Sequence, residues 1–338
     1  MKKFLFFTFF TLIYTFPGKA QDEFIPGGRA TGTLFINYHH VLTDGAEQKN
    51  VFEIQRAYLG YGYDFSRSIS SRIVFDIGHD GNAYTAFIKN AELDWLIIPK
   101  LRFSAGIFTL KQFDTQENFW DHRYIMKSFD DEYGLGTSAD LGINIELPLN
   151  EMININAFIL NGEGYQSLQD INGTLRIGGN IIIKPVEGLT FKFYYDEMAG
   201  NDKVIPEDTT SISNIAVFAG YEMKDKFRLG IEYNKMGDGM SYNTFANGYK
   251  LGGVSIYGAY SINSKFELLA RYDNLKSNKV DPATEVWNLS GDGEMLLGGI
   301  QYGPLKGVNL ALNYRAWLHD KPGTPTDSEI YINIGVNF

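Results

Sequence analysis

Along almost the whole of this chain, apolar and polar residues trade places at every second position. Near the C-terminus, IYINIGVNF sets Ile330, Ile332, Ile334, Val336 and Phe338 on one parity, with Tyr331, Asn333, Gly335 and Asn337 on the other. Alternation of this kind marks a strand with two unlike faces. About 16 such runs follow one another, among them ATGTLFINYHHV (30–41), VFEIQRAYLGYGYDF (51–65), LGTSADLGINIEL (135–147), KFRLGIEYNK (226–235) and KFELLARYDNL (265–275). The spacing, about 20 residues per strand and connector, suits strands of about 10 residues.

The connectors sort into two kinds. SRS, PK, PLNE, PVEG, KDK, NSK and GPLKG are tight, and between them fall longer stretches at 42–50, 111–134, 161–172, 199–211, 236–250, 276–293 and 319–328, with a short exception near 79–85. Tight hairpin turns at one end and long loops at the other are the pattern of an up-and-down barrel in an outer membrane. Within the runs, Leu135, Thr137, Ala139, Leu141, Ile143, Ile145 and Leu147 share one face, opposite Ser138, Asp140, Asn144 and Glu146. Likewise Phe227, Leu229, Ile231 and Tyr233 oppose Arg228, Glu232 and Asn234. So many two-faced strands leave no chain to cover the apolar side, and lipid must cover it. Aromatic residues mark two belts on that face: Tyr63, Trp95, Phe103, Phe191, Tyr221, Phe227, Tyr260, Phe266 and Tyr302 by the tight turns, and Tyr38, Tyr195, Tyr233, Tyr272 and Tyr314 toward the loops. Such belts belong at the two membrane interfaces. The predicted fold is all-β: a transmembrane antiparallel up-and-down β-barrel with short periplasmic turns and longer extracellular loops, its last strand closing onto its first so that no backbone edge meets hydrocarbon.

Residues 1–20 carry Lys2 and Lys3, an apolar run from Phe4 to Phe16, and small residues at Gly18 and Ala20. That is the make-up of a cleaved secretory signal, which leaves 21–338 as the barrel domain. Its removal takes three lysines and no acid, and the net charge goes from −10 to −13. A chain so acidic is a poor partner for nucleic acid. With no cysteine, neither a disulfide nor a thioether-linked lipid can hold it.

The chain resembles the bacterial outer-membrane porins, which end in an alternating strand with a terminal Phe like Phe338. The stretches VFEIQRAYLGYGYDF, NAELDWLIIPKLRFSAGIFTLKQF and LNGEGY look like those of the phosphate-selective porins O and P. The resemblance implies a water-filled channel for passive diffusion of small hydrophilic solutes and ions, embedded in outer-membrane lipid. It also implies recognition of the Phe338 strand by the barrel-insertion machinery, a homotrimer, and a third long loop that folds inward as a constriction. That loop is 111–134, with Lys111, Arg123 and Lys127 against Asp114, Glu117, Asp121, Asp130, Asp131 and Glu132.

Parity sends Arg56, Arg72, Arg102, Arg176, Lys192, Arg228, Arg271 and Arg315 into the lumen, together with Asp76, Glu92, Asp94, Asp140, Glu146, Asp196, Glu222, Glu232, Glu267 and Asp273. Basic and acidic rows facing each other across water would set up a transverse field that favours small polar solutes. The near balance of signs, and the acidic loop, depart from the clustered basic residues of a phosphate-selective channel, which stands as the alternative reading. Lys89 breaks parity on the apolar face; a bulge or a slightly different register would turn it inward.

Catalysis finds no motif: His39, His40, His79, His122 and His319 fall mostly at the extracellular rim, without G-x-S-x-G or H-E-x-x-H. A display protein would need larger loops than these. The acidic triplet at Asp130, Asp131 and Glu132 is read as solvated, so the prediction includes neither metal nor cofactor.

Overall fold

The computed structural model describes residues 24–43, 45, 49–80, 83–169, 173–200 and 211–338; the signal-like segment lies outside them. The strands are β1 (Gly27–Val41), β2 (Asn50–Asp64), β3 (Ile69–Asp80), β4 (Ala83–Ile98), β5 (Leu101–Thr109), β6 (Ala139–Pro148), β7 (Ile153–Leu160) and β8 (Arg176–Ile183). They continue with β9 (Leu189–Ala199), β10 (Ser211–Met223), β11 (Phe227–Ser241), β12 (Thr244–Ser261), β13 (Phe266–Ser277), β14 (Gly293–Leu305), β15 (Val308–His319) and β16 (Asp327–Asn337). Each pairs antiparallel with its sequence neighbours, and β16 pairs with β1 to close the barrel.

At the closing seam Thr33 stands opposite Asn337, and Gly32 and Phe338 exchange both backbone hydrogen bonds, at 2.9 and 3.0 Å. The Phe338 ring lies over Gly32, where a Cβ would come within 2.1 Å of it and push the ring aside. The short turns are tied by side chains: Asn150 Oδ1 accepts from the amides of Met152 and Ile153, and Asn263 Oδ1 does the same for Lys265 and Phe266. Outward-facing residues such as Leu141, Ile143, Ile181, Phe193, Leu229 and Leu268 are exposed, as a lipid-facing surface requires. Among the interfacial rings, Phe266 stacks on Tyr302 with centroids 4.8 Å apart.

The structure corrects three expectations. First, Leu135, Thr137 and Ala139 are not lipid-facing: β6 starts only at Ala139, and Leu135 and Ala139 are buried. Their alternation continues that of β6, but the chain has already turned into the lumen. Second, 236–250 is largely strand, because β11 and β12 run on to a tip at Tyr242 and Asn243. Gly237 and Gly239, which suggest a turn in the sequence, are instead sites of register shift inside that hairpin. Third, His122 is not at the rim but fully buried inside the barrel. Lys89, by contrast, is the bulged residue anticipated: Val74 faces Asn90 while Phe75 faces Ile88, so Lys89 is the extra one. Its side chain turns inward, over the Tyr165 ring at 4.6 Å.

Candidate functional site: the lumen and its inward-folded connector

The connector between β5 and β6 occupies the barrel interior. It contains the short helices α1 (Asp114–Trp120) and α2 (Phe129–Glu132). Phe113, Trp120, Ile125, Phe129 and Leu135 are almost completely buried. Trp120, Tyr124, Ile125 and Met126 pack in one cluster with Phe218, Tyr257, Leu269, Met295, Leu297 and Phe35 from the wall. Phe129 and Leu135 join a second, with Ile212, Met236, Leu251 and Leu275. Burial of this size drives the segment off the rim, since each large apolar side chain buried contributes about 1.5–3 kcal/mol.

Three inward glycines provide seats for its rings. A Cβ on Gly335 would meet the Tyr124 ring at 2.8 Å, one on Gly220 the Phe119 ring at 2.7 Å, and one on Gly253 the Phe129 ring at 2.9 Å. Polar wall side chains then hold the connector by its backbone. Lys192 donates to the carbonyls of Lys111 and Gln112, the latter at 2.7 Å, and to Gln116 Oε1 at 2.9 Å. Tyr257 donates to the Gln116 carbonyl at 3.1 Å, Asn333 to that of Tyr124 at 3.1 Å, Arg315 to that of Ile125 at 2.5 Å, and Arg271 to that of Lys127. His122 lies between the Trp120 carbonyl, 2.6 Å from Nδ1, and Glu267, 2.9 Å from Nε2. Arg228 links the same Glu267, at 3.4 Å, to Asp121, at 2.9 Å.

The inward charges therefore divide. Asp76, Glu92, Asp140, Arg176, Lys192, Glu232 and Arg271 point inward as parity requires but are buried, and thus do not line open water. Nor do opposite signs face each other across the lumen. Arg56 pairs with Asp76 at 3.0 Å, Arg72 with Glu92 at 2.5 Å, Arg176 with Asp196 at 2.6 Å and Arg271 with Asp273 at 2.8 Å, each on one strand or two adjacent ones. The reason is distance, because neighbouring positions on paired strands lie about 5 Å apart, far closer than an opposite wall. Inward charges that keep solvent contact include Arg56, Arg72, Asp94, Arg102 and Glu146 on β2 to β6, and also Glu222, Arg228, Glu267 and Arg315 on the rest of the wall.

Opposite the set on β2 to β6 stands the charged face of the connector. Arg123 bridges Glu117 and Asp131, the latter at 2.7 Å, and its Nη2 reaches Tyr58 at 3.5 Å. Lys111 pairs with Asp114 at 3.1 Å, while Lys127 and Glu132 keep solvent contact. The two carboxylates that share Arg123 differ. Burial raises both, but Arg123, with Lys127, outweighs it at Asp131 and holds that carboxyl at about 2. At Glu117 burial prevails over Arg123, and the pKa lies above the ordinary value. Asp130 is raised well above its ordinary value by burial and by Glu232, and both its oxygens lack a hydrogen-bond partner.

Cavities lie on both sides of the connector. One of about 520 Å³, toward the short turns, is lined by Asp114, Asn118, Phe119, Lys184, Thr190 and Glu222. The other, about 300 Å³ and toward the long loops, is lined by Met126, Glu132, Tyr133, Met295, Arg315 and Trp317. No group of three or more metal-binding side chains occurs among the described residues. Sequence patterning sends the connector and the lumen arginines to the same interior, where Arg271 and Arg315 grip connector carbonyls and Arg176 is sealed against Asp196. It missed Tyr58, Gln116, Tyr124, His122, Tyr257 and Asn333, whose partners are remote in the chain; the aromatic density of 113–133 was the one available signal.

Comparison with solved structures places this architecture. The chain superposes on the outer-membrane channel DcaP of Acinetobacter baumannii with a TM-score of 0.71 and 13% identity, covering 93% of this chain and 97% of that one. The fold is that of the porins. Salmonella typhi OmpF, solved in complex with daunomycin, matches with a TM-score of 0.70 and 14% identity over 92% of this chain and 97% of its own. An anion-selective porin from Comamonas acidovorans matches with a TM-score of 0.68 and 10% identity, over 93% and 100%. No family model matches the sequence, and no curated protein does. The porin fold and its lipid-facing belt locate the chain in an outer membrane.

Proposed function

We propose that this protein is a porin: a water-filled channel for passive diffusion of small hydrophilic solutes and ions across the outer membrane. The observation that carries the reading is the inward connector, seated along one side of the barrel with its charged face turned to the charged wall of β2 to β5. Lys111, Asp114, Glu117, Asp121, Arg123, Lys127, Asp130, Asp131 and Glu132 belong to that constriction, with Asp121 and Asp130 on its anchoring side. Arg56, Arg72, Asp94 and Arg102 line the passage opposite. Because Arg56, Arg72, Lys111 and Arg123 each have a carboxylate partner, the local field is small and charge preference is weak.

Residues 1–20 act as the export signal, the β16 strand with Phe338 is the element read by the insertion machinery, and three copies assemble through the outer apolar face. An anion- or phosphate-selective channel is the second reading, favoured by Arg72 and Arg102 standing exposed on one wall. The deciding measurement is the reversal potential of purified protein in planar bilayers under a potassium chloride gradient, followed by added phosphate. A potential near zero without block supports the general channel, whereas strong anion preference with phosphate block supports the second reading. Absence of conductance sinks both.

A further inference from the structure

The hairpin formed by β11 and β12 leans across the mouth of the barrel. It is bent by register shifts at Gly237, Gly239 and Ser241, and by Asp238 in the left-handed region at φ 56°. Its tip reaches elements four to six strands away. The Tyr242 amide donates to the Gly134 carbonyl at 3.1 Å, and Asn243 Nδ2 donates to the Glu163 carbonyl at 3.3 Å. The Tyr242 ring lies under the Arg176 guanidinium, 3.9 Å from carbon to centroid. Its hydroxyl points at Asp140 Oδ2, 3.4 Å away, and its carbonyl accepts from Arg176. The ring belongs to one buried apolar cluster with Phe108, Phe158, Leu160, Tyr194 and Ala216.

These partners make up a receptor for a planar ring. Arg176 is held flat by Asp196 at 2.6 Å, and Asp196 is held in turn by Asn214 at 3.0 Å and by the Tyr194 hydroxyl. A fixed cation over the ring, apolar neighbours around it and a carboxylate at its hydroxyl match a neutral phenol or similar hydroxylated ring. All of it is present without Tyr242, because none of these residues belongs to the hairpin. The ring comes from the turn at the end of the β11–β12 hairpin, and a turn tip can withdraw without breaking barrel pairing.

We propose that Tyr242 is a tethered, self-occluding ligand in a ring-accepting subsite of the lumen, and that a neutral phenolic solute entering from outside competes with it. The proposal rests on the channel reading for its consequence, though not for its binding chemistry. With the tip seated, the Tyr242 ring fills the subsite; with the tip lifted, the subsite opens to solvent beside the main passage.

The test is replacement of the missing fragment. Tyr242→Gly protein, checked for folding by its heat-dependent electrophoretic mobility, is titrated with N-acetyl-tyrosinamide, with N-acetyl-alaninamide as control. Calorimetry in detergent reads binding, and bilayer conductance reads closure. The expected result is saturable binding of the tyrosine amide to Tyr242→Gly at least about tenfold tighter than to the unaltered protein, whose subsite is already filled in most molecules. The tyrosine amide should also lower the variant's raised conductance toward that of the unaltered channel, while the alanine amide does neither. Equal binding to both proteins, or none to the variant, overturns the proposal. If neither protein conducts, the channel reading fails while calorimetry still decides the subsite. A Tyr242→Phe variant keeps the ring and should remain as insensitive as the parent.

Discussion

The two faces of the connector inside this barrel are built on opposite principles. Toward β9 to β16 it is apolar and fixed, with rings seated over glycines and carbonyls bound by Lys192, Tyr257, Asn333, Arg315 and Arg271. Toward β2 to β5 it is charged, partly wet and paired mainly within itself, through Arg123, Glu117 and Asp131. The first face decides where the connector lies; on the channel reading proposed above, the second decides what passes it. A mutation on one face should therefore leave the other's property nearly unchanged.

The largest test removes both faces together. Replacing residues 112–136 with a short glycine linker should raise single-channel conductance several-fold while leaving the barrel folded, and unchanged conductance would show that the connector is no constriction. Next comes the anchoring face. Arg271→Met leaves Asp273 buried with its charge unbalanced, which costs about 3–5 kcal/mol, read as loss of stability to urea in detergent, with noisier current but unaltered ion preference. Gly335→Val forces the Tyr124 ring from its seat at an overpacking cost of about 1–3 kcal/mol. Its conductance should fluctuate between levels where the parent shows one.

The passage face gives smaller effects of another kind. Neutralising Asp114 and Glu117 should move the reversal potential toward anions without a change in stability beyond about 1 kcal/mol for such partly exposed pairs. Acid should mimic part of this. Glu117, with its raised pKa, takes up a proton above the usual carboxylate value of about 4.3, whereas Asp131 keeps its charge down to about 2. Ion preference should thus shift toward anions in an early step. The stabilisation that Asp131 gains from Arg123, present above its unfolded value, is lost only as pH falls through about 2. A single late step would mean that the two carboxylates are not distinguished as the geometry requires.

How far the sequence reveals all this also follows the two faces. Barrel, strand number and the inward parity of Arg56, Arg72 and Arg102 are legible because a period of two is a local property. So is the Lys89 bulge, since one residue out of parity has few remedies in a paired strand. The sealing of Arg176, Lys192 and Arg271 is not legible, because parity reports direction and says nothing of what lies at the end of it. Leu135 misled for the same reason: it keeps the alternation of β6 after the backbone has left the wall. Tyr242 was hidden by glycines that bend a hairpin where their cluster suggested a loop.

The carbonyl clamps have a consequence for how such a channel can change. Every residue carries a carbonyl, so a mount that grips the backbone is indifferent to most side chains threaded through it. Substitutions on the wet face can then accumulate without loosening the part that bears them. Lineages of this protein can drift in what they admit while inheriting one unchanging frame, and a designer could graft new filters onto the same strap.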